Sequence, residues 1–396
     1  MKSRLKNKIK LFVPLLFIVI QLLVIDKTLA NPDSVKISLL TFGKGKSVAD
    51  VWGHTGIRVL NADKGTDLVY NYGTYDFNQP NFLLKFLRGK LKYSLSFNDF
   101  EQTIRFYTFY HRDVFEQVLN LNSEEKIKLM ELLEENYLPE NRYYLYDFFY
   151  DNCSTRPLSI ITNSIQSKLL LSENKENKTF RQYLDEEIID KPWLDFGIDL
   201  ILGINADKNP ERFQKSFLPL NLKSELSKSQ ILKDGQNESF VLMDKTIASF
   251  DHVQSSFPLL LKPASIFTFL FVLEILIFGF FFFKSPKLFL IYDKIWFTIA
   301  LIAGLIITFL WFFTDHTATK SNLNYLVFNP LYLFFFIKNE KLRYGISVVL
   351  SVSLLIVLLG FAILPQEFNL AVLPIAGLLL LKIVKFGFFH KYFNIK

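Results

Sequence analysis

The only cysteine of this 396-residue chain, Cys153, stands in the polar stretch Tyr150-Asp151-Asn152-Cys153-Ser154-Thr155-Arg156, directly after an aromatic run. Exported proteins generally pair their cysteines, so an unpaired one bonds another chain, sits inert in a core, or reacts. Asp151 and Asn152 are residue types that cap helix starts, and a thiol in a first helical turn gains thiolate character from unpaired N–H groups and the helix dipole. Arg156, one turn on, is expected to add to that effect. If Asn152 is the cap, Pro157 falls just beyond the first turn and costs a hydrogen bond; a start at Ser154 or Thr155 puts the thiol at the helix lip instead.

A thiol nucleophile needs a base, and histidine has the right pKa. The chain has five histidines. His390 is near the C-terminal tail, and His111 and His252 lie in polar segments that read as surface. His54 heads the strand-like run Trp52-Gly53-His54-Thr55-Gly56-Ile57-Arg58-Val59, where glycines leave room for another backbone or a ligand beside the ring. One cysteine and scattered histidines lack the spacing of a zinc site, and neither metal nor cofactor is expected.

Both ends of the chain place this pair outside a cell. Lys2, Arg4, Lys6, Lys8 and Lys10 precede the apolar run 11–25, and small residues follow around Ala30, the layout of a signal peptide over residues 1–30. From Leu261 the composition turns Phe-rich. Apolar stretches at 264–283, 295–313, 325–337, 346–364 and 370–386 predict an all-α transmembrane domain of about five helices over 261–396. The third stretch is short and contains Pro330, so it reads either as a span borrowing flanking residues or as a re-entrant piece. Lys284, Lys287, Lys338, Lys341, Arg343, Lys391 and Lys396 fall in alternate connections and the tail, which puts those in the cytoplasm and residues 31–260 outside.

The net charge of +7 is therefore orientation charge. Residues 1–30 hold 6 basic and 1 acidic side chains, 31–260 hold 27 and 32, and 261–396 hold 12 and 5. The exported part is mildly acidic and has no polybasic tract, which argues against nucleic acid as a partner.

Within 31–260, Val35–Phe42, His54–Leu60 and Asp67–Tyr72 read as strands, the last two as a hairpin. Asn122 and Glu125 form a capping-box pattern ahead of a helix to Tyr137 with Ile127, Met130, Leu132 and Leu133 as its stripe. Leu158–Leu171 fits a further helix, and Lys228–Glu238 reads as a polar loop that begins a tether to the membrane. The stretch from Pro80 to Lys92 mixes Phe82, Leu83, Leu84, Phe86 and Leu87 with Lys85, Arg88, Lys90 and Lys92, the composition of a helix packed on a core or lying on anionic headgroups.

A histidine leading a strand as His-x-Gly-Ile, followed by Asn-Cys at a helix start, resembles the circularly permuted NlpC/P60 branch of papain-like thiol enzymes, which includes the lecithin:retinol acyltransferase group. Further words extend the likeness over most of the chain: Asn71-Tyr72-Gly73-Thr74-Tyr75-Asp76-Phe77, Asn141-Arg142-Tyr143, Thr179-Phe180-Arg181, Asp195-Phe196-Gly197, Phe217-Leu218-Pro219, Asp315-His316 and Asn329-Pro330-Leu331. Together they resemble Bacteroidota membrane proteins, among them an apolipoprotein N-acyltransferase, that join an exported thiol-hydrolase-like domain to a C-terminal membrane domain.

The resemblance implies an α+β papain-like extracytoplasmic domain over 31–260, anchored in a bacterial inner membrane. It implies that Cys153, activated by His54, takes an acyl chain from a membrane phospholipid as a thioester and passes it to the α-amine of a diacylated lipoprotein. A third polar residue should orient the imidazole, Asn71 first and Tyr72 next. Asn152 and Arg156 support the nucleophile, and backbone N–H groups around Cys153 supply an oxyanion hole; His316, in a polar outer loop, reads either as a contact for a phosphate or the incoming amine or as a solvated loop residue. A membrane-bound periplasmic cysteine peptidase or amidase acting on cell wall, and a non-catalytic membrane scaffold, stay open as alternatives.

Overall fold

A computed structural model describes residues 34–48, 50–76, 80–89, 91–171, 177–233, 235–252, 257–281 and 287–388. The signal-peptide reading of residues 1–30, and Lys284, Lys391 and Lys396 of the charge argument, lie outside them.

The strands are β1 (Val35–Phe42), β2 (His54–Asn61), β3 (Thr66–Thr74), β4 (Lys92–Asp99), β5 (Val114–Leu119), β6 (Tyr143–Leu145), β7 (Leu169–Leu170), β8 (Gln230–Lys233), β9 (Gln236–Ser239) and β10 (Val241–Ala248). Seven form one antiparallel sheet in the order β10-β5-β1-β2-β3-β4-β6, and β7-β8-β9 form a small second sheet. The helices before the membrane part are α1 (Phe82–Leu87), α2 (Phe100–Phe109), α3 (Ser123–Tyr137), α4 (Thr155–Ser164), α5 (Phe180–Glu187), α6 (Pro192–Ile201) and α7 (Pro219–Lys228).

The central strand β1 is almost wholly buried because helices cover both faces of the sheet. Its odd positions, Ile37 and Leu39, join Ile57 and Val59 against Leu129 and Leu133 of α3, Leu158 and Ile161 of α4, and Leu222 and Leu226 of α7. Its even positions, Leu40 and Phe42, face Tyr107 of α2 together with Val69. This alternation follows from the two-residue period of a strand and fixes which side chains can meet.

Several sequence readings hold. The β2–β3 hairpin pairs Ile57 with Tyr70 through Asn61 with Thr66. The capping box closes α3, with Asn122 Oδ1 accepting from the Glu125 N–H and Glu125 Oε2 from the Asn122 N–H, both at 2.9 Å. Others need correction. The expected helix 158–171 ends at Ser164 and gives way to β7. The expected polar tether 228–238 is the end of α7 and the β8–β9 hairpin, and β10 then returns to the main sheet beside β5.

The membrane part contains α8 (Pro263–Phe281), α9 (Lys287–Phe312), α10 (Glu340–Gly360) and α11 (Val372–Ile383). Among the described residues three helical stretches are long and apolar enough to cross a bilayer: Pro263–Phe280, Ile291–Phe312 and Glu340–Gly360. Besides these three, the described residues hold a 12-residue α11 that runs into a π-helical turn and, in place of a regular helix around Pro330, an irregular stretch at 323–336, so three of the about five expected helices are seen as long spans. That stretch descends alongside α9: the Asn329 backbone abuts Gly304, and Tyr332 and Phe335 stack on Phe297 with centroids 5.8 and 4.3 Å away. Asn324, Val327, Tyr332 and Phe335 are buried in protein, which is where non-helical backbone is tolerated at membrane depth. At its core Lys382, fully buried, holds Glu274 and Asp293 at 2.8 Å each and so ties α11 to α8 and α9.

Candidate active site

The site begins with a fork in the sheet. Pairing between β2 and β3 starts only at Ile57, so His54, Thr55 and Gly56 have no partner in β3, while Asn71, Tyr72 and Thr74 pair with β4 around an irregularity at Gly73. The start of α4 fills the gap. The Thr55 hydroxyl donates to the Cys153 carbonyl on one side, and Gly73 faces the cysteine on the other. A Cβ built on Gly73 would lie 3.8 Å from Cys153 Cβ and 3.9 Å from His54 Cε1, so both side chains border one glycine. Its φ of +99° is open only to glycine in practice.

His54 pairs with Phe42 across β1 and β2 and projects on the α2 face, where its ring stacks near Phe42 and Tyr107 at 6.1 and 6.4 Å. Asn71 lies on the same face and hydrogen-bonds the imidazole. Its amide nitrogen donates to the Val69 carbonyl at 3.2 Å, which leaves Oδ1 for the ring N–H. Gly56 keeps that oxygen free of contact, since a Cβ there would approach it to 3.2 Å. Tyr72, the alternative choice, is corrected by strand periodicity: it points to the opposite face, buried near Tyr144 beside a separate cavity of about 290 Å³.

Asn152, buried at 2% exposure, shapes the nucleophile's turn. Its Oδ1 accepts from the Ser154 and Thr155 N–H groups at 2.7 and 2.9 Å, and its amide donates to the Phe148 and Phe217 carbonyls. α4 starts at Thr155, so Pro157 falls within the first turn, where its missing N–H costs nothing. The expected oxyanion donors are corrected in part, because two N–H groups after the cysteine are spent on Asn152. Arg156 is corrected as well. It forms a bidentate pair with Asp151 at 2.5 and 2.8 Å, lies 3.5 Å over the Tyr144 ring, and borders the same separate cavity as Tyr72.

The electrostatics differ from a pre-formed thiolate. Burial pushes the Cys153 thiol above its ordinary pKa, against stabilisation of the thiolate by the Thr55 N–H, the Tyr146 hydroxyl and its own N–H. Burial first, then the positive charge of Arg112, lower His54 from 6.5 to about 4, while the Asn71 hydrogen bond works the other way. Arg112 is held by the Gly43 carbonyl at 2.8 Å and Asp50 at 3.6 Å. The resting pair is therefore a neutral thiol beside a neutral imidazole. Tyr146, Thr55, Gly73 and Arg112 are contributors that sequence reasoning missed; Tyr146 is one aromatic among several in its run, and Gly73 stood only as part of a motif word.

Cys153 and His54 open into a cavity of about 680 Å³ with walls from Trp52, Tyr93, Tyr146, Phe148 and Phe217. His316, from the loop after α9, forms part of the wall, as do Phe86 and Gly89 at the end of α1. The loop is fixed to the sheet domain: Thr317 Oγ1 donates to Asp147 Oδ2 at 2.6 Å, the Gly203 N–H to the Ala318 carbonyl at 2.9 Å, and the Asp315 N–H to the Arg88 carbonyl at 2.9 Å.

A second polar cluster lies away from this cavity. Arg181, at 1% exposure, binds Asp199 and Asp207 at 2.6 and 2.8 Å. Asp185, Asp195 and Asp199 bring carboxylate oxygens within 4.8 Å of one another, a donor set of the kind that holds a hard cation. Burial and mutual repulsion raise Asp185 to about 8 and Asp195 to about 6. Asn369, beyond α10, bonds Asp195 and Asp199 at 3.0 and 3.1 Å, so the cluster joins the two parts of the chain.

Comparison with known proteins gives two family matches. Residues 25–186 match the Lnb N-terminal periplasmic domain, and residues 253–392 match the Lnb transmembrane domain. No curated protein and no solved structure gives a significant match. The two matched regions follow the division seen in the fold, a sheet domain and then apolar helices, and so describe a membrane protein with a periplasmic domain. The chain belongs to the Lnb family.

Proposed function

We propose that the protein is a lipoprotein N-acyltransferase of the bacterial inner membrane, with Cys153 as nucleophile, His54 as its base and Asn71 orienting the imidazole. The observation that carries this reading is one cavity in which the chain's only thiol and an Asn-bonded histidine meet aromatic walls and a loop of the membrane domain. Its volume falls in the range of ligand sites, roughly 300–1,000 Å³. Walls of this kind suit hydrocarbon better than a muropeptide.

In the first step the Cys153 sulfur attacks the ester carbonyl of a phospholipid and His54 takes the thiol proton. The Tyr146 hydroxyl and the N–H groups of Thr55 and Cys153, which face the sulfur in the resting site, are released as the sulfur loses its charge to the new C–S bond and are the donors nearest the tetrahedral oxyanion. The C–O bond breaks, the imidazolium returns its proton to the lysophospholipid oxygen, and an acyl thioester remains. In the second step the α-amine of a diacylglyceryl-cysteine lipoprotein attacks the thioester. His54 takes a proton from the amine, the C–S bond breaks, and the thiol is restored as the amide forms. His316, in the cavity wall, is the proposed contact for a phosphate or the incoming amine.

The test is mass spectrometry of the protein incubated with phospholipid, then with a diacylated lipopeptide. An acyl adduct on Cys153 that the lipopeptide discharges as a triacylated product is expected. A muropeptide product with no adduct would establish a peptidase. Full function in cells of both Cys153→Ala and His54→Ala, with no adduct on the wild-type protein, would leave only a scaffold.

A further inference from the structure

α1 is short, and its apolar side chains are not all packed away: Leu84, Phe86 and Leu87 are 53, 48 and 42% exposed. Its position says what covers them. The Arg88 carbonyl at its end accepts from the Asp315 N–H at 2.9 Å, and Gly89, with φ of +68°, is so close to His316 that a Cβ would come within 3.2 Å of it. Asp315 follows the outer end of α9 by three residues, and Phe312 and Phe313 there are 60 and 63% exposed. α1 is thus bonded to the chain three residues past the end of a spanning helix, which puts it at the level where that helix leaves the bilayer.

Two further observations favour lipid as the occupant. Lys85 and Arg88 accompany the apolar face, the pairing of hydrocarbon with cations that suits an interfacial helix on phosphate headgroups. The same element also borders the catalytic cavity, since Phe86 and Gly89 line it with Cys153 and His54, while Leu84 and Leu87 lie outside it.

We propose that α1 is a membrane-inserted lip. Its Leu84 and Leu87 face sits among outer-leaflet acyl chains, and its other end opens into the Cys153 cavity, so that a phospholipid chain passes from leaflet to thiol without entering water. This rests on the acyl-transfer reading for the chemistry but not for the insertion.

The test has two arms, both on the full-length chain in vesicles of phosphatidylethanolamine and phosphatidylglycerol. In the first, Cys153→Ser protein carries Leu84→Cys labelled with an environment-sensitive fluorophore, with Lys64→Cys in the exposed β2–β3 turn as the aqueous control. Residue 84 is expected to show blue-shifted emission and quenching by spin-labelled lipid; behaviour like residue 64 overturns the proposal. In the second, Leu84→Glu/Leu87→Glu is compared with wild type for acylation of Cys153. Acylation from vesicle phospholipid should fall at least about tenfold, since charge opposes burial at the acyl boundary, while acylation from water-soluble p-nitrophenyl butyrate is retained. Loss of both reactions, or of neither, overturns the lip. If wild type forms no adduct from either donor, the acyl-transfer reading fails, and the fluorophore depth still decides where α1 lies.

Discussion

Protonating His54 should cost the folded protein about 3.5 kcal/mol. In the unfolded chain the imidazole titrates near 6.5, and in the fold near 4. Between those values the unfolded state binds more protons, so stability rises with pH. The contribution is complete above about pH 6.5 and is lost as pH falls toward 4, worth about 1.4 kcal/mol for each of roughly 2.5 units. His54→Gln removes this titration, and its lost contacts with Phe42 and Tyr107 add only a pH-independent offset. The difference in thermal stability between wild type and His54→Gln, measured in detergent from pH 7 to 4, should therefore shrink on acidification. The acidic cluster titrates equally in both proteins and cancels. Isotope-labelled histidine NMR gives the direct reading among only five imidazoles. Arg112→Gln should move the His54 midpoint up, because the guanidinium opposes the imidazolium, and Asn71→Ala should move it down. A midpoint near 6.5, or a stability difference flat across that window, refutes the reasoning.

Three further outcomes follow from the same geometry. Lys382→Met strands the buried carboxylate of Glu274 and leaves Asp293 with the longer 3.6 Å pair to Lys385, and should cost about 3–5 kcal/mol, read as loss of folded protein from the membrane fraction; adding Glu274→Gln/Asp293→Asn should restore most of it. Gly203→Ala places a Cβ within 1.9 Å of the Lys320 carbonyl, so the seam between the two parts should open at a cost of about 1–3 kcal/mol, seen as a lower Tm. Tyr146→Phe keeps the cavity wall but removes a donor from the sulfur. The rate of Cys153 acylation should fall about tenfold to a hundredfold with the Tm unchanged, as expected for a hydrogen bond to a charged group.

What was legible depended on how local the signal is. β1 to β3 and α3 show in the sequence because a two-residue alternation and a capping box are written within a few positions. β10 does not, because it is held by β5 more than a hundred residues away and its own face is largely exposed. The hairpin at 230–239 looked like a tether because β9 is exposed at every position. The stretch 325–337 left a span and a re-entrant piece both open because burial in protein at membrane depth demands the same apolar composition as a spanning helix. At the site, Cys153 and His54 stood out by rarity and by glycine neighbours. Arg156 misled because charge near a thiol in sequence says nothing of direction: its pairing with Asp151 turns it to another face, and the charge that reaches His54 is that of Arg112.

Burial of the pair has a consequence for the choice between hydrolysis and transfer. A thiolate–imidazolium pair held open to water would attack readily, but its thioester would meet water as often as an amine. Here desolvation keeps both groups neutral, so charge separates only when an ester carbonyl is in place to receive the sulfur. The same environment acts on the acceptor. An α-ammonium titrates near 8 in water and is mostly unreactive at neutral pH. A cavity that depresses His54 by desolvation depresses an ammonium for the same reason and delivers it as the free amine, while its aromatic walls limit the water that would compete. Under the proposed reaction, the feature that weakens Cys153 as a free nucleophile is what favours amide formation over hydrolysis. Opening the wall, as in Phe148→Ser, should therefore raise the ratio of free fatty acid to triacylated lipopeptide, and an unchanged ratio would show that water exclusion by this wall does not set the product.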